Sequence, residues 1–188
     1  MPGSSELVER HRRACDGFAA IAHQVARDQW TVSTPCPDWT ARDLVEHVIG
    51  FHEFLLLRPL GIRAQRPRDD PAARWDATAT ALFGALASEG VVDRATELPG
   101  GGTSTPATML GALTTDVLVQ TWDLARATQL EPNLDDTLCR AALAAARQNG
   151  ISRDGVMIGP EHAVDDRADA ATKLAAFYGR DPRWSPPR

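Results

Sequence analysis

The chain has 188 residues, which is enough for one domain with a continuous core and short for two. Its 43% hydrophobic and 24% charged residues are typical of soluble globular proteins. The net charge of -5, without a basic stripe, argues against nucleic-acid binding, because phosphate contacts need clustered cations. The start has no apolar secretory segment and no window approaches ~18 consecutive apolar residues. We therefore expect a cytoplasmic protein that does not contact membranes.

Apolar residues recur at three- and four-residue steps in the first third of the chain, which predicts two helices. The first is expected from about residue 6 to 28, and the second from residue 40 to about 57. Between them, prolines exclude a helix and favour an extended turn. Thr40 and Asp43 occupy the two positions of a capping box, with Thr40 as the N-cap of the second helix.

The second helix is expected to present one apolar stripe, formed by Leu44, His47, Val48, Phe51, Phe54 and Leu55. Glu46 and Glu53 are expected to face away from it. A histidine on such a stripe needs a partner, because a buried unsatisfied polar group costs ~1–3 kcal/mol. Pattern alone leaves two interpretations of His47 open: a core histidine satisfied by hydrogen bonds, and a metal ligand.

Further helices are predicted over residues 71–88, 106–128, 133–148 and 169–177. Thr105 is the expected N-cap of the fourth helix, with Pro106 at its first position. Asn133 is the expected N-cap of the fifth. Gly90 and Gly179 are plausible stops. The sequence contains no convincing run of strands, and helices joined by short or proline-capped loops predict a bundle.

Asp116 and Gln120 lie four residues apart on the fourth helix and therefore share a face. Their neighbours on that face are Ala112, Leu113 and Val117. A carboxylate in such surroundings needs a cation, a metal or strong hydrogen bonds. The alternative is an exposed or helix-paired aspartate.

The remaining polar candidates carry weaker signals. Asp123 and Arg126 are three residues apart and favour a surface ion pair, unless they are buried. Cys36 lies near the start of the second helix, where a thiol pKa can be lowered, but a buried structural cysteine is favoured. Cys15, Cys36 and Cys139 form no CxxC pair, which argues against a disulfide framework and a structural zinc site. No partner at ligand spacing is expected for His11, His23, His52 and His162.

Three segments resemble one family in order and spacing. They are TPCPDWTARDLVEH at residues 34–47, DVLVQTWDLARAT at 116–128 and GRDPRW at 179–184. They are similar to the DinB-like metal-binding family, in the branch related to the N-terminal domain of mycothiol-dependent maleylpyruvate isomerase. The resemblance spans nearly the whole chain and implies one domain over residues 1–188.

The resemblance implies an all-α fold. It is a DinB-like four-helix bundle with up-down-down-up topology, here with an additional helix and a short C-terminal extension. It also implies a divalent metal, usually zinc or nickel, near the bundle axis. The family's ligands come from the second helix and from an acid-x-x-x-His pair on the last core helix. Carried over, these positions are His47, Asp116 and Gln120.

Gln120 departs from the family pattern, which has histidine there. An amide oxygen is a weaker ligand for zinc or nickel than imidazole. The three residues are expected either to hold a divalent ion with two or three waters or to persist as a polar core triad without metal. The isomerase also has a separate C-terminal domain that this chain is too short to contain, so its activity is not carried over.

Two functions of different class follow. The first is a thiol-dependent transferase or isomerase, which would use a low-molecular-weight thiol such as mycothiol and a small-molecule substrate. The second is a non-catalytic module that binds a small molecule or forms a homodimer, with a degenerate metal site. The substitution at Gln120 favours the second, and the family resemblance favours the first.

Overall fold

The computed structural model describes residues 3–153, 155 and 157–187, and nearly all of its regular structure is helical. The α-helices are α1 (Ser4–Ala22), α2 (Ala41–His52), α3 (Pro71–Leu86), α4 (Pro106–Thr128), α5 (Asp136–Asn149) and α6 (Ala170–Phe177). A 3₁₀ turn at Arg27–Thr31 precedes α2, and a π-helical turn at Glu53–Leu57 follows it. The all-α prediction is confirmed. No helix in the described part of the chain is long and apolar enough to span a membrane.

Helices α1 and α3 run in opposite directions. Phe18 packs edge-on against Trp75, with ring centroids 5.1 Å apart. His11 precedes Phe18 in α1, and its ring centroid lies 5.9 Å from that of Phe83, which follows Trp75 in α3. Contacts that pair early residues of one helix with late residues of the other define an antiparallel pair.

Helix α4 runs antiparallel to α2. Cys36, just before α2, contacts Asp123 late in α4, at 3.4 Å from sulfur to carboxylate oxygen. His47, further along α2, contacts Asp116 earlier in α4. The contacts of α4 therefore fix its direction relative to the second helix.

The same helix runs parallel to α1. His11 contacts Thr114, and Gln29, beyond the end of α1, donates a hydrogen bond to the Thr128 carbonyl at the end of α4. With α1 and α4 parallel and the other two helices opposed to them, the order is up-down-down-up, as the family resemblance implied. Helices α5 and α6 pack on each other and on α4, outside the four-helix core.

The first helix is shorter than predicted. It ends at Ala22 and is followed by a separate 3₁₀ turn, so the expectation of one helix to residue 28 was wrong. This turn brings Trp30 into the core, where only 7% of its surface is exposed. Burial of a large indole outweighs continuation of the helix.

The capping box of α2 is confirmed, but its buried face is not the predicted stripe. The Asp43 amide donates to Thr40 Oγ1, and the Thr40 amide donates to Asp43 Oδ2. Phe51 and Phe54 are exposed, whereas Glu53 is buried and pairs with Arg66. The π-helical turn changes the angular step between residues after His52, which rotates the later side chains relative to an α-helical stripe. Residues on the buried face are Ala41, Leu44, Val45, Val48, Ile49 and His52.

The start of the fifth helix and the linker before α4 also differ from the prediction. The fifth helix begins at Asp136, with Asp135 as its N-cap accepting from the Leu138 amide. Asn133 adopts a left-handed conformation, with φ of 37°, and is not the cap. The linker before α4 contains a short antiparallel strand pair, Thr96–Glu97 with Thr103–Ser104, which the sequence did not predict. By contrast, α4 begins and ends where predicted.

Candidate functional site

His47 lies at the inner edge of α2, between two aromatic rings. Its ring centroid is 4.8 Å from that of Trp39 and 4.4 Å from that of Phe51. The side chain keeps 11% of its surface exposed, so it is not sealed in the core. The capping box that starts α2 less than two turns earlier fixes the helix that positions this imidazole.

Asp116 and Gln120 project from α4 toward the same place. Asp116 Oδ1 lies 3.4 Å from His47 Nε2. The other carboxylate oxygen, Oδ2, is buried and has no hydrogen-bond partner among the described residues. Gln120 is 1% exposed, and its Oε1 likewise lacks a partner in the described chain. Two buried acceptors on residues that line the same cavity as His47 are therefore left unsatisfied, an arrangement that costs free energy in the absence of a donor or cation.

All three residues line one cavity of about 410 Å³. Its walls are mainly apolar and include Phe51, Val119 and Tyr178. The predicted convergence of His47, Asp116 and Gln120 is thus observed. Cavities of about 440 and 700 Å³ on other faces are lined largely by arginine and acidic side chains and contain no comparable group of buried, unpaired acceptors among the described residues.

The donor set suits a divalent ion. It offers one imidazole nitrogen, one carboxylate and one amide oxygen, and each of these atom types binds zinc or nickel. The two unsatisfied oxygens are the atoms that a cation would satisfy. The residues present therefore fit a metal ion with open positions, although the amide is the weakest of the three ligands.

Asp123 and Arg180 form a buried ion pair beside this cavity, which Arg180 also lines. Arg180 donates from Nε and Nη2 to Asp123 Oδ2 at 2.9 and 2.8 Å, and both residues are buried. Burial raises the pKa of Asp123, and the Arg180 guanidinium opposes that effect. The predicted surface pair between Asp123 and Arg126 was wrong, because Asp123 faces inward toward a residue 57 positions away.

Arg180 and Arg126 together attach the C-terminal segment to the bundle. Arg180 also donates to the carbonyls of Tyr178 and Met157. Arg126 donates to the carbonyls of Pro182 and Trp184, each at 2.9 Å. Trp184 is itself half-buried. The extension that follows α6 is therefore part of the folded domain and supplies one wall of the cavity.

Cys36 contacts the same ion pair. Its thiol lies 3.4 Å from Asp123 Oδ2, and Arg180 Nη2 lies 3.1 Å from the sulfur. Burial, followed by the charge of Asp123, raises the pKa of the Cys36 thiol. The cysteine is therefore a neutral, structural residue, as favoured from the sequence, and not a low-pKa nucleophile.

A second polar group, which the sequence prediction missed, lies inside the bundle. His11 and Cys15 of α1 meet His52 of α2, and all three are buried. His11 Nε2 is 3.0 Å from His52 Nε2 and 3.4 Å from Cys15 Sγ. The expectation that His11 and His52 lack partners at ligand spacing was wrong. The four-residue spacing of His11 and Cys15 was the available signal, since it places both on one helix face.

Desolvation dominates the protonation of this second group. Burial lowers the pKa of His11, and the neighbouring His52 lowers it further. Burial also lowers the pKa of His52. Both imidazoles are therefore held in the neutral form, in which one ring nitrogen carries a lone pair. A buried His–Cys–His group of this kind is able to hold a metal ion.

Comparisons with known proteins agree with this architecture. Residues 11–125 match the family described as the mycothiol maleylpyruvate isomerase N-terminal domain. Two relatives are the uncharacterized proteins MT0763 and Rv0738, from the CDC 1551 and H37Rv strains of Mycobacterium tuberculosis. Each is 36% identical over 183 residues, covering 92% of this chain and 97% of the relative. No solved structure matches the chain. By the extent of the family match and the identity to both relatives, the chain belongs to the mycothiol maleylpyruvate isomerase N-terminal domain family.

Proposed function

We propose that the cavity at His47, Asp116 and Gln120 is a divalent-metal site that serves thiol-dependent transfer or isomerisation of a small molecule. The observation that carries the proposal is the pair of buried oxygens, Asp116 Oδ2 and Gln120 Oε1, which lack partners in the described chain and belong to residues that line one cavity with His47. A cation at this position would satisfy both oxygens. The family description, which names mycothiol, supports a low-molecular-weight thiol such as mycothiol as co-substrate.

Each ligand has a defined part. His47 would supply the one strong neutral donor, Asp116 a charge that offsets half of that on the ion, and Gln120 a neutral oxygen. When bound, a divalent ion lowers the pKa of a thiol and makes the nucleophilic thiolate accessible near neutral pH. With only three ligands from the chain, open positions remain for a co-substrate.

The other walls of the cavity select and enclose the substrate. Phe51, Val119 and Ile151 offer apolar surface to a carbon skeleton and reduce access of water. Tyr178 is half-buried, and burial followed by the charge of Asp116 raises the pKa of its phenol. Its hydroxyl therefore stays protonated near neutral pH and is available as a hydrogen-bond donor to an oxygen of the substrate.

The proposal is tested with tag-free protein that carries Cys15→Ser. This substitution removes the sulfur atom from the His11–Cys15–His52 group, so that metal binding there does not compete with the cavity. Nickel binding is followed by calorimetry, and mycothiol is then added while thiolate-to-nickel charge-transfer absorption is recorded. We expect binding of one nickel per chain and a new absorption band on addition of the thiol. His47→Ala should abolish both, while His23→Ala, at an exposed histidine, should abolish neither. Nickel binding that is unaffected by His47→Ala would contradict the proposal.

The second candidate function is a non-catalytic binding module, and the observation that favours it is Gln120 itself. Loss of an imidazole weakens a site built for three good ligands. In such a module the cavity would bind a small molecule through Phe51, Val119 and Tyr178 without a resident ion. No nickel binding at the cavity, and no spectral response to thiols, would favour this function over thiol transfer.

A further inference from the structure

The buried His11–Cys15–His52 group is separate from the cavity residues and has its own hydrogen bonds. The three side chains come from two helices, and their ligand atoms all lie within 4.8 Å of one another. Two nitrogens that share one ion at ~2.0–2.1 Å each can lie at most ~4.2 Å apart, and nitrogen and sulfur slightly farther. The observed 3.0 and 3.4 Å separations fall within that reach.

The tautomer of His52 is fixed by the backbone. Its Nδ1 lies 2.6 Å from the carbonyl oxygen of Val48. A carbonyl oxygen only accepts hydrogen bonds, so Nδ1 must carry the proton. In the neutral ring, Nε2 then presents its lone pair toward His11.

The tautomer of His11 is fixed by Thr114, whose own hydroxyl proton is used in a hydrogen bond to the backbone. Its Nδ1 lies 3.0 Å from Thr114 Oγ1. The Thr114 hydroxyl donates its only proton to the Leu110 carbonyl at 2.6 Å, so its oxygen must accept from His11. Nδ1 of His11 therefore carries the proton, and its Nε2 also presents a lone pair.

Two lone pairs consequently face each other across 3.0 Å, with a cysteine sulfur beside them. The Cys15 thiol is placed to donate its one proton to His11 Nε2. This leaves the His52 lone pair unsatisfied, so the contact between the two nitrogens stays unfavourable unless a cation lies between them. A proton on either ring would create a buried imidazolium next to a second imidazole, which desolvation opposes. A metal ion satisfies both lone pairs, and the fixed Nδ1 hydrogen bonds resemble the outer partners that orient histidine ligands in metal sites.

We propose that His11, Cys15 and His52 form a second metal site, for copper(I). Thiolate and imidazole are the ligands that this soft ion prefers. Binding of Cu⁺ displaces the proton of the Cys15 thiol to solvent, so the thiolate and the ion cancel and the group remains uncharged. A divalent ion bound the same way would leave one net positive charge.

The surroundings of the group favour the uncharged form. His11, Cys15 and His52 are at most 1% exposed. The ring of Trp75 packs edge-on against His52 at 5.2 Å, and Phe83 packs beside His11. An uncompensated charge in such surroundings carries the desolvation penalty of a buried ion. Asp116, which acts on His52, and Asp16, which acts on Cys15, would offset part of such a charge, and Arg12 opposes them. The neutral combination of thiolate and copper(I) needs no such offset, so the charge balance favours a monovalent ion over zinc.

The test uses reduced, tag-free, full-length protein under anaerobic conditions. Protein competes for copper(I) with the chromophoric chelator bicinchoninate, and a parallel titration uses zinc with a zinc-responsive chelator. We expect transfer of one copper(I) per chain. Cys15→Ser should weaken copper binding at least ~10–100-fold, whereas Cys139→Ser, which removes a different buried thiol, and His23→Ala, at an exposed histidine, should leave it unchanged.

A measurement on the wild type keeps the inference falsifiable if Cys15→Ser fails to fold. X-ray absorption at the copper edge should show one sulfur and two imidazoles around the metal. No copper transfer in the wild type, or transfer without a sulfur ligand, would overturn the proposal. Zinc bound through Cys15 more tightly than copper(I) would also overturn it, because the charge argument would then be wrong.

Discussion

Gln120 is the residue on which the strength of the proposed metal site in the cavity depends. Its amide oxygen is buried and lacks a partner in the described chain, and its side chain lines the same cavity as His47 and Asp116, at the position where the family has a histidine ligand. His47 and Asp116 line the same cavity, and His47 Nε2 lies 3.4 Å from Asp116 Oδ1. The proposed site therefore has side chains at three ligand positions but only two strong ligands, His47 and Asp116.

Replacement of Gln120 by histidine is expected to strengthen metal binding. An imidazole adds a first-rate ligand, and loss of even an outer partner typically costs ~10–100-fold in affinity. Calorimetric titration with nickel should therefore show Gln120→His binding at least that much more tightly than the wild type. At saturation, each tenfold gain adds about 1.4 kcal/mol to the free energy of unfolding. Gln148→His, on the exposed side of α5, is the matched control, and an equal gain there would contradict the assignment.

Asp123 has a different role, since it neutralises Arg180 inside the fold. Asp123→Ala should lower the free energy of unfolding by ~3–5 kcal/mol, because it leaves a buried guanidinium unpaired. Urea denaturation measures this loss. The double variant Asp123→Ala/Arg180→Met should recover much of it, since no lone charge remains. Glu161→Ala, which removes a solvent-exposed ion pair with Arg147, should change the free energy of unfolding by less than about 1 kcal/mol, and a loss there equal to that of Asp123→Ala would refute the argument.

At the scale of the element, the capping box of α2 links local sequence to the site. Thr40 and Asp43 satisfy each other's amides at the start of the helix that carries His47. Hydrogen bonds from Thr40 lower the pKa of Asp43. Because the folded pKa is depressed, this contribution is complete above the ordinary carboxyl pKa and is lost as pH falls through the lower, folded value.

Thr40→Ala should accordingly lower the free energy of unfolding by about 1 kcal/mol. Its effect should shrink in acid, where Asp43 becomes protonated in the wild type as well. Thermal denaturation at neutral and acidic pH measures both statements. Thr137→Ala, at an exposed threonine in α5 that does not cap the helix, is the control. A destabilisation by Thr40→Ala that does not change with pH would contradict the role given to Asp43.

Capping residues and prolines predicted the ends of helices well where tertiary packing did not alter the backbone. Thr105 and Pro106 specify the start of α4, and the structure agrees. The stripe on α2 was misplaced because a π-helical turn, which no local pattern announced, rotates Phe54 outward and Glu53 inward. Asn133 was preferred to Asp135 as a cap because both are good caps, and only tertiary packing chose between them.

The partners of buried polar groups were the least predictable part of the site. Asp123 pairs with Arg180 across 57 residues, and His52 meets His11 across 41. Periodicity within one helix cannot reveal such contacts, since they depend on how helices pack. The shared cavity of His47, Asp116 and Gln120 was predictable because family resemblance supplied the tertiary information.

At the scale of the whole molecule, the C-terminal extension after α6 is attached to the bundle by hydrogen bonds and forms one wall of the cavity. Removal of every residue after Gly179 should lower stability by about as much as Asp123→Ala, ~3–5 kcal/mol, because Arg180 is lost. A chain that ends at Pro182 keeps Arg180 and one of the two carbonyls bound by Arg126, so it should lose less. Melting temperatures of the two truncations test this. If the chain that ends at Gly179 were as stable as the wild type, the extension would not contribute to the stability of the fold.

The most direct test of the central claim is anomalous X-ray diffraction at the zinc edge, on crystals of the tag-free protein grown with zinc. The account predicts a peak within coordination distance, ~2.0–2.2 Å, of His47 Nε2 and an Asp116 carboxylate oxygen, with Gln120 Oε1 turned toward it. A map in which that cavity shows no anomalous peak, while His47 and Asp116 keep their direct contact, would contradict the claim that the cavity is a metal site.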